Sequence, residues 1–216
     1  MSLICKICYS LGMEIEIPIQ VLSLKGYLEI PGGARGLIIF SHGSGGLSLR
    51  NSFVAEELNK AGFATILFDL LTEGESKIPE KRFDIDLLTE RLIGVTKWCM
   101  EQEKTKNLKI GYFGTGTGSA AALSAAAYWG TKIRAVVSRG GRPELAMEEL
   151  DLIEAPTLLI VGGDDKTMID YNRRAYAKIG CVKKMEIVAG ATHLFEEEGA
   201  LEKVDKLAGE WFLKHP

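Results

Sequence analysis

The run Phe113-Gly114-Thr115-Gly116-Thr117-Gly118-Ser119 has the spacing of a nucleophile elbow, Gly-x-Ser-x-Gly. In that motif a tight strand-to-helix turn lifts a serine clear of a sheet. Gly114 and Gly118 occupy the flanking positions, where a side chain would block the close approach of strand and helix. The central position is Gly116, which carries no nucleophile. Two other readings fit the same residues. Gly116-Thr117-Gly118-Ser119-Ala120-Ala121 matches the dinucleotide fingerprint Gly-x-Gly-x-x-Ala, and Arg139 falls about 20 residues on, where it would suit a 2′-phosphate. A plain helix start with glycines for tight packing gives the same pattern. The stretch alone leaves all three open.

Four more segments carry residues able to do chemistry. His42-Gly43-Ser44-Gly45-Gly46 is a flexible loop with one imidazole. Gly162-Gly163-Asp164-Asp165 and Gly190-Ala191-Thr192-His193 bring a carboxylate and an imidazole into Gly-rich turns. Ser138-Arg139-Gly140-Gly141-Arg142 holds paired guanidinium groups, which suit a substrate bearing a carboxylate or a phosphate. Glu73 and Glu75 read as part of a solvated loop.

The elements that must position these residues follow from periodicity. Met13–Ile17 and part of Val21–Ile30 alternate at period two, which predicts a β-hairpin. Short continuous apolar runs at Leu37–Phe40, Ala64–Phe68, Ile133–Val137 and Pro156–Val161 predict strands covered on both faces. Lys184–Val188 is a last strand. Helical spacing marks 51–61, 83–104, 120–129, 169–179 and 200–214, with a polar loop over 70–80. Strands alternating with helices predict an α/β fold, a doubly wound and mostly parallel sheet with an N-terminal antiparallel hairpin. With no repeat or linker, residues 1–216 read as one domain.

Ligands in such sheets gather at the carboxyl ends of the strands. Each chemistry-bearing segment sits at such an end, and the order elbow, then Asp165, then His193 is that of an α/β-hydrolase triad. On these residues the chain resembles the α/β-hydrolase superfamily, nearest its dienelactone-hydrolase-like branch, which lacks a lid. The resemblance covers nearly the whole chain and rests on His42-Gly43, the Gly114–Gly118 elbow, Gly162-Gly163-x-Asp165 and Gly190-x-x-His193-x-Phe195. A dinucleotide fold normally places its Gly-rich turn after the first strand of its unit, whereas here it follows several.

The resemblance implies that His193 is the general base and that Asp165, rather than its neighbour Asp164, orients it. It implies oxyanion-hole donors in the backbone N–H groups of Thr117 and Ser44. Arg139 and Arg142 would bind substrate. The activity implied is hydrolysis of an ester, thioester or lactone by a Ser–His–Asp route, with no cofactor or metal. Gly116 departs from that pattern, as either a replaced serine in an active enzyme or a natural loss. A non-catalytic protein binding a small ligand in the same pocket is the alternative.

Bulk composition excludes other classes. With 26 basic and 29 acidic residues the formal charge is −3, which makes no electrostatic case for nucleic acid or an anionic membrane. No apolar run approaches the ~20 residues that span a bilayer. The first residues lack a secretory pattern, so a cytoplasmic protein is expected. A small-molecule substrate is the expected partner, with a homo-oligomer left open. Cys5 and Cys8 have metal-ligand spacing without a second pair to complete a site, and Cys99 and Cys181 read as small core residues.

Overall fold

The computed structural model describes residues 12–42 and 48–216. The alternating N-terminal residues form two antiparallel strands, β1 (Met13–Ile19) and β2 (Leu22–Glu29). β3 (Leu37–His42), α1 (Leu49–Lys60) and β4 (Ala64–Phe68) follow. Next come α2 (Glu73–Ser76), a 3₁₀ turn over Pro79–Phe83, α3 (Ile85–Glu101) and β5 (Ile110–Gly116). The chain continues through α4 (Thr117–Trp129), β6 (Ile133–Gly141) and β7 (Thr157–Gly162). It ends with α5 (Lys166–Lys178), β8 (Lys183–Val188) and α6 (Ala200–Lys214).

These strands form one eight-stranded sheet in the order β1-β2-β4-β3-β5-β6-β7-β8. β2 runs antiparallel to β1 and β4, and the pairings from β4 through β8 are parallel. The expected doubly wound sheet with an N-terminal hairpin is therefore present. Chain direction reverses between β3 and β5: β3 leads outward to β4 on one side, β5 to β6 on the other. Where such connections diverge, a crevice opens at the carboxyl ends of the two strands.

Alternation along the strands feeds two cores. Ile39, Ile66, Tyr112, Val136 and Leu159 point to the layer of α3, α4 and α5, where Leu88, Leu92, Ala122 and Ala175 meet them. Ile38, Phe40, Phe113, Val137 and Ile160 point the other way, to Val54 and Leu58 of α1 and to Val204, Trp211 and Phe212 of α6. The small side chains of α4 let it lie close on the sheet; Ala120, Ala121, Ala122, Ala125 and Ala126 are all fully buried.

Three expectations need correction. The 70–80 segment is not a plain loop: Thr72 and Glu75 form a capping box that starts α2. α4 begins at Thr117, directly after the elbow, rather than at Ala120. β6 runs on to Gly141, because its last residues pair with the end of β5, Gly116 opposite Gly141 and Arg142 N–H donating to the Gly116 carbonyl at 3.1 Å. Arg139 therefore lies inside a buried strand and not in a loop after one.

Candidate active site

The elbow is built as its glycine spacing predicts. A Cβ on Gly118 would sit 2.4 Å from the Cα of His42, so only glycine lets α4 begin this close to β3. Ser41 clamps the approach, its hydroxyl donating to the Gly118 carbonyl at 2.7 Å. Gly116 has φ +55° and ψ −129°, a region that L side chains rarely enter. A Cβ built on Gly116 meets nothing within 4 Å among the described residues, which leaves open space there for a nucleophile side chain. Among the described residues, no side chain caps the first turn of α4. The backbone N–H of Thr117, its first residue, is thus among the unpaired donors of a helix start.

Asp165 and His193 come together from the ends of β7 and β8. His193 Nδ1–H donates to Asp165 Oδ2 at 2.9 Å, which leaves Nε2 as the free ring nitrogen. The other oxygen, Oδ1, accepts from Met168 N–H at 3.2 Å and caps α5. Asp165 is therefore both helix cap and partner of the imidazole, and the cap fixes the carboxylate's direction. Asp164 is exposed and stands outside the pair. His193 is held by the turn around it: Phe195 is buried at positive φ, +55°, and Thr192 N–H donates to Glu197 at 3.0 Å. A non-glycine residue in that conformation is costly and persists only where its surroundings over-determine it.

His42 ends β3, opposite Thr115 in the ladder. Its Nδ1 lies 3.4 Å from Oδ1 of Asp69, which follows β4. Burial lowers its pKa, Asp69 opposes that, and Arg139 lowers it further, so the ring is held neutral.

Gly116, Thr117, Arg139, Arg142, His42 and His193 all line one cavity of about 510 Å³ at the β3–β5 crevice. Phe83 and Leu194 add apolar surface at 59% and 43% exposure, enough to hold a small apolar group. Ser44, the second expected oxyanion donor, lies outside the described residues, as do Cys5 and Cys8. Ser119 is fully buried and shares a hydrogen bond with Ser138, so its hydroxyl is not available to substrate. Arg50, Asn51 and Arg82 also line the cavity and went unremarked in the sequence. Their segments carry no local signature, and only the strand order brings α1 and the 3₁₀ turn over the elbow.

The same architecture recurs in solved structures. A dienelactone hydrolase from Anabaena variabilis is 47% identical, with TM-score 0.90 over 95% of this chain and 99% of that one. Est1E from Butyrivibrio proteoclasticus shares the fold at 17% identity, TM-score 0.79 over 94% of this chain and 98% of that one. A Mycobacterium tuberculosis protein provisionally named a phosphoribosyl transferase is 50% identical over 204 residues, 94% of this chain and 46% of that protein. The chain thus spans about half the length of that curated relative. Residues 24–212 match the model of the dienelactone hydrolase family, a span running from β2 into α6 that takes in the elbow, Asp165 and His193. With strand order, elbow and full-length structural match in agreement, this chain belongs to the dienelactone hydrolase family.

Proposed function

We propose that the chain hydrolyses a small ester, thioester or lactone, with His193 and Asp165 handling the proton. The observation that carries this reading is the 2.9 Å bond between them, beside the open space at Gly116. With serine at position 116 the pair would support a Ser–His–Asp route. With glycine there, a water in the open space becomes the nucleophile. Its oxygen adds to the acyl carbon while His193 Nε2 takes its proton. Thr117 N–H stabilises the developing oxyanion. Collapse breaks the bond to the alkoxide or thiolate, which leaves with the proton from Nε2. The acid is formed in one displacement, without an acyl-enzyme. Loss of the nucleophile makes the rate low; in serine proteases stripped of their triad, binding and oxyanion stabilisation alone retain roughly 10³–10⁴-fold over water.

Gly116 also favours a second reading, a non-catalytic protein that holds a small ligand in the same cavity. The phosphoribosyl transferase name belongs to a relative of which this chain spans 46%, and no transferase chemistry is proposed for this segment. Initial rates on activated short-chain esters separate the two. Wild-type should exceed His193→Ala by tenfold or more, with Asp165→Asn in between. Identical rates in all three, on every ester of the panel, would leave the binding protein as the better account.

A further inference from the structure

Four guanidinium groups line the cavity at the elbow, and two of them have no carboxylate partner among the described residues. They belong to Arg50, Arg82, Arg139 and Arg142. Glu196 pairs with Arg50 and Glu144 with Arg142, each at 2.8 Å. Among the described residues no carboxylate pairs with Arg82 or Arg139, and Arg82 Nε–H donates to the Ser76 carbonyl at 2.7 Å. Asp69 faces His42, and Asp165 faces His193.

Arg139 is the centre of this arrangement. It is 8% exposed, and among the described residues it donates no hydrogen bond; its Nη1 is buried without an acceptor. The Phe113 ring lies 6.0 Å from its Cζ. Burial, and the nearness of Arg50, bring its pKa down to about 10, so it stays charged at neutral pH. Among the described residues, three more that line the cavity have a buried polar atom without a partner: Arg50 at Nε, His42 at Nε2 and Asn51 at Oδ1. Buried polar groups are nearly always paired, and an unpaired buried guanidinium is especially costly. Of these atoms the two on Arg139 and Arg50 are unpaired donors, the feature that points to an anionic ligand.

We propose that this cavity binds the dianionic head of a phosphate monoester, bridged between the Arg50 and Arg139 guanidinium groups. That the phosphate belongs to the molecule hydrolysed at the elbow rests on the hydrolase reading above. Arg139 has no carboxylate partner among the described residues, and Arg50 keeps a buried Nε without an acceptor, so an anion between them meets unpaired donors of both. A phosphate monoester offers three terminal oxygens and can engage two forks at once, whereas a carboxylate has one charge and fills one fork.

Isothermal titration with phenyl phosphate, benzoate and phenol tests this without requiring turnover. Phenyl phosphate should bind at least tenfold more tightly than benzoate, with affinity falling as salt rises, and phenol more weakly than either. Arg139→Met and Arg50→Gln should each weaken phenyl phosphate tenfold or more. If Arg139→Met does not fold, as judged by circular dichroism, Arg139→Lys and the rim variant Arg50→Gln carry the test. Equal affinity for phenyl phosphate and benzoate, or undiminished phosphate binding in the folded arginine variants, would overturn the proposal. Ester hydrolysis without a phosphate preference would sink this inference alone; phosphate binding without hydrolysis would sink only the hydrolase reading.

Discussion

Position 116 sets what the site can do. A nucleophile elbow holds its central residue at positive φ, here +55°, which for a non-glycine residue costs on the order of 1–3 kcal/mol. Glycine avoids that strain but loses more entropy on folding, by roughly 0.5–1 kcal/mol relative to alanine. The strain is the larger, and among the described residues no neighbour obstructs a side chain there. Gly116→Ser should therefore lower the unfolding free energy by about 1 kcal/mol, read from denaturant melts. It should also raise ester hydrolysis through a covalent intermediate, and His193→Ala in that background should remove the gain. Wild-type should stay unlabelled by fluorophosphonate probes, since Ser119 is buried against Ser138. A labelled peptide carrying Thr115, Thr117 or Ser119 would show that another hydroxyl has taken the nucleophile's part.

The short helix α2 shows how an element read as solvated loop can be a fixed part of the frame. Glu75 accepts from Thr72 N–H at 3.0 Å and from Lys81 and Arg91, each at 3.1 Å, with its side chain 15% exposed. Burial alone would raise its pKa, but the Thr72 backbone, Lys81, the Thr72 hydroxyl and Arg91 together hold it at about 2. Through Arg91 it ties α2 to α3, and the segment between them carries Arg82 and Phe83 to the cavity. Glu75→Ala leaves the nearly buried Arg91 without a partner and should cost on the order of 3 kcal/mol at neutral pH. Because the folded pKa lies below the ordinary 4.5, the carboxylate's contribution is complete above about pH 4.5 and fades as the pH falls towards 2. Stability curves of wild-type and variant should converge over that interval. A gap that stayed constant down to pH 2 would assign the loss to packing instead of charge.

At the scale of the whole molecule, the sheet is covered by α3, α4 and α5 on one face and by α1 and α6 on the other. The thinner layer carries an electrostatic flaw. Asp205 on α6 is partly buried, and burial together with Glu57 of α1 and Glu202 raises its pKa to about 6, with Lys60 acting against them. A carboxyl whose folded pKa is raised favours the fold in its protonated form, so its stabilising share is full below pH 3.8 and lost as the pH passes 6. Asp205→Asn should therefore raise the melting temperature at pH 7.5, with the benefit shrinking as the pH falls towards 4. An equal gain at pH 4 and pH 7.5 would mean that the partly buried charge of Asp205 is not its source.

Local sequence determined the elements and their order. Continuous apolar runs marked the inner strands, because a strand covered on both faces has no polar side to show. Glycine spacing marked the elbow, because Gly118 must let α4 pass within van der Waals reach of β3. The succession of elbow, Asp165 and His193 at strand ends was legible for the same local reason. Tertiary structure alone decided the rest. β6 extends past Val137 only because its end pairs with β5. Glu75 is anchored only because α3 brings Arg91 against it. Arg50, Arg82 and Arg139, far apart along the chain, share one cavity because β3 lies beside β5 and the connections diverge there. Periodicity and turn chemistry act over a few residues, whereas the charge of a cavity is a sum over segments that only the strand order brings together.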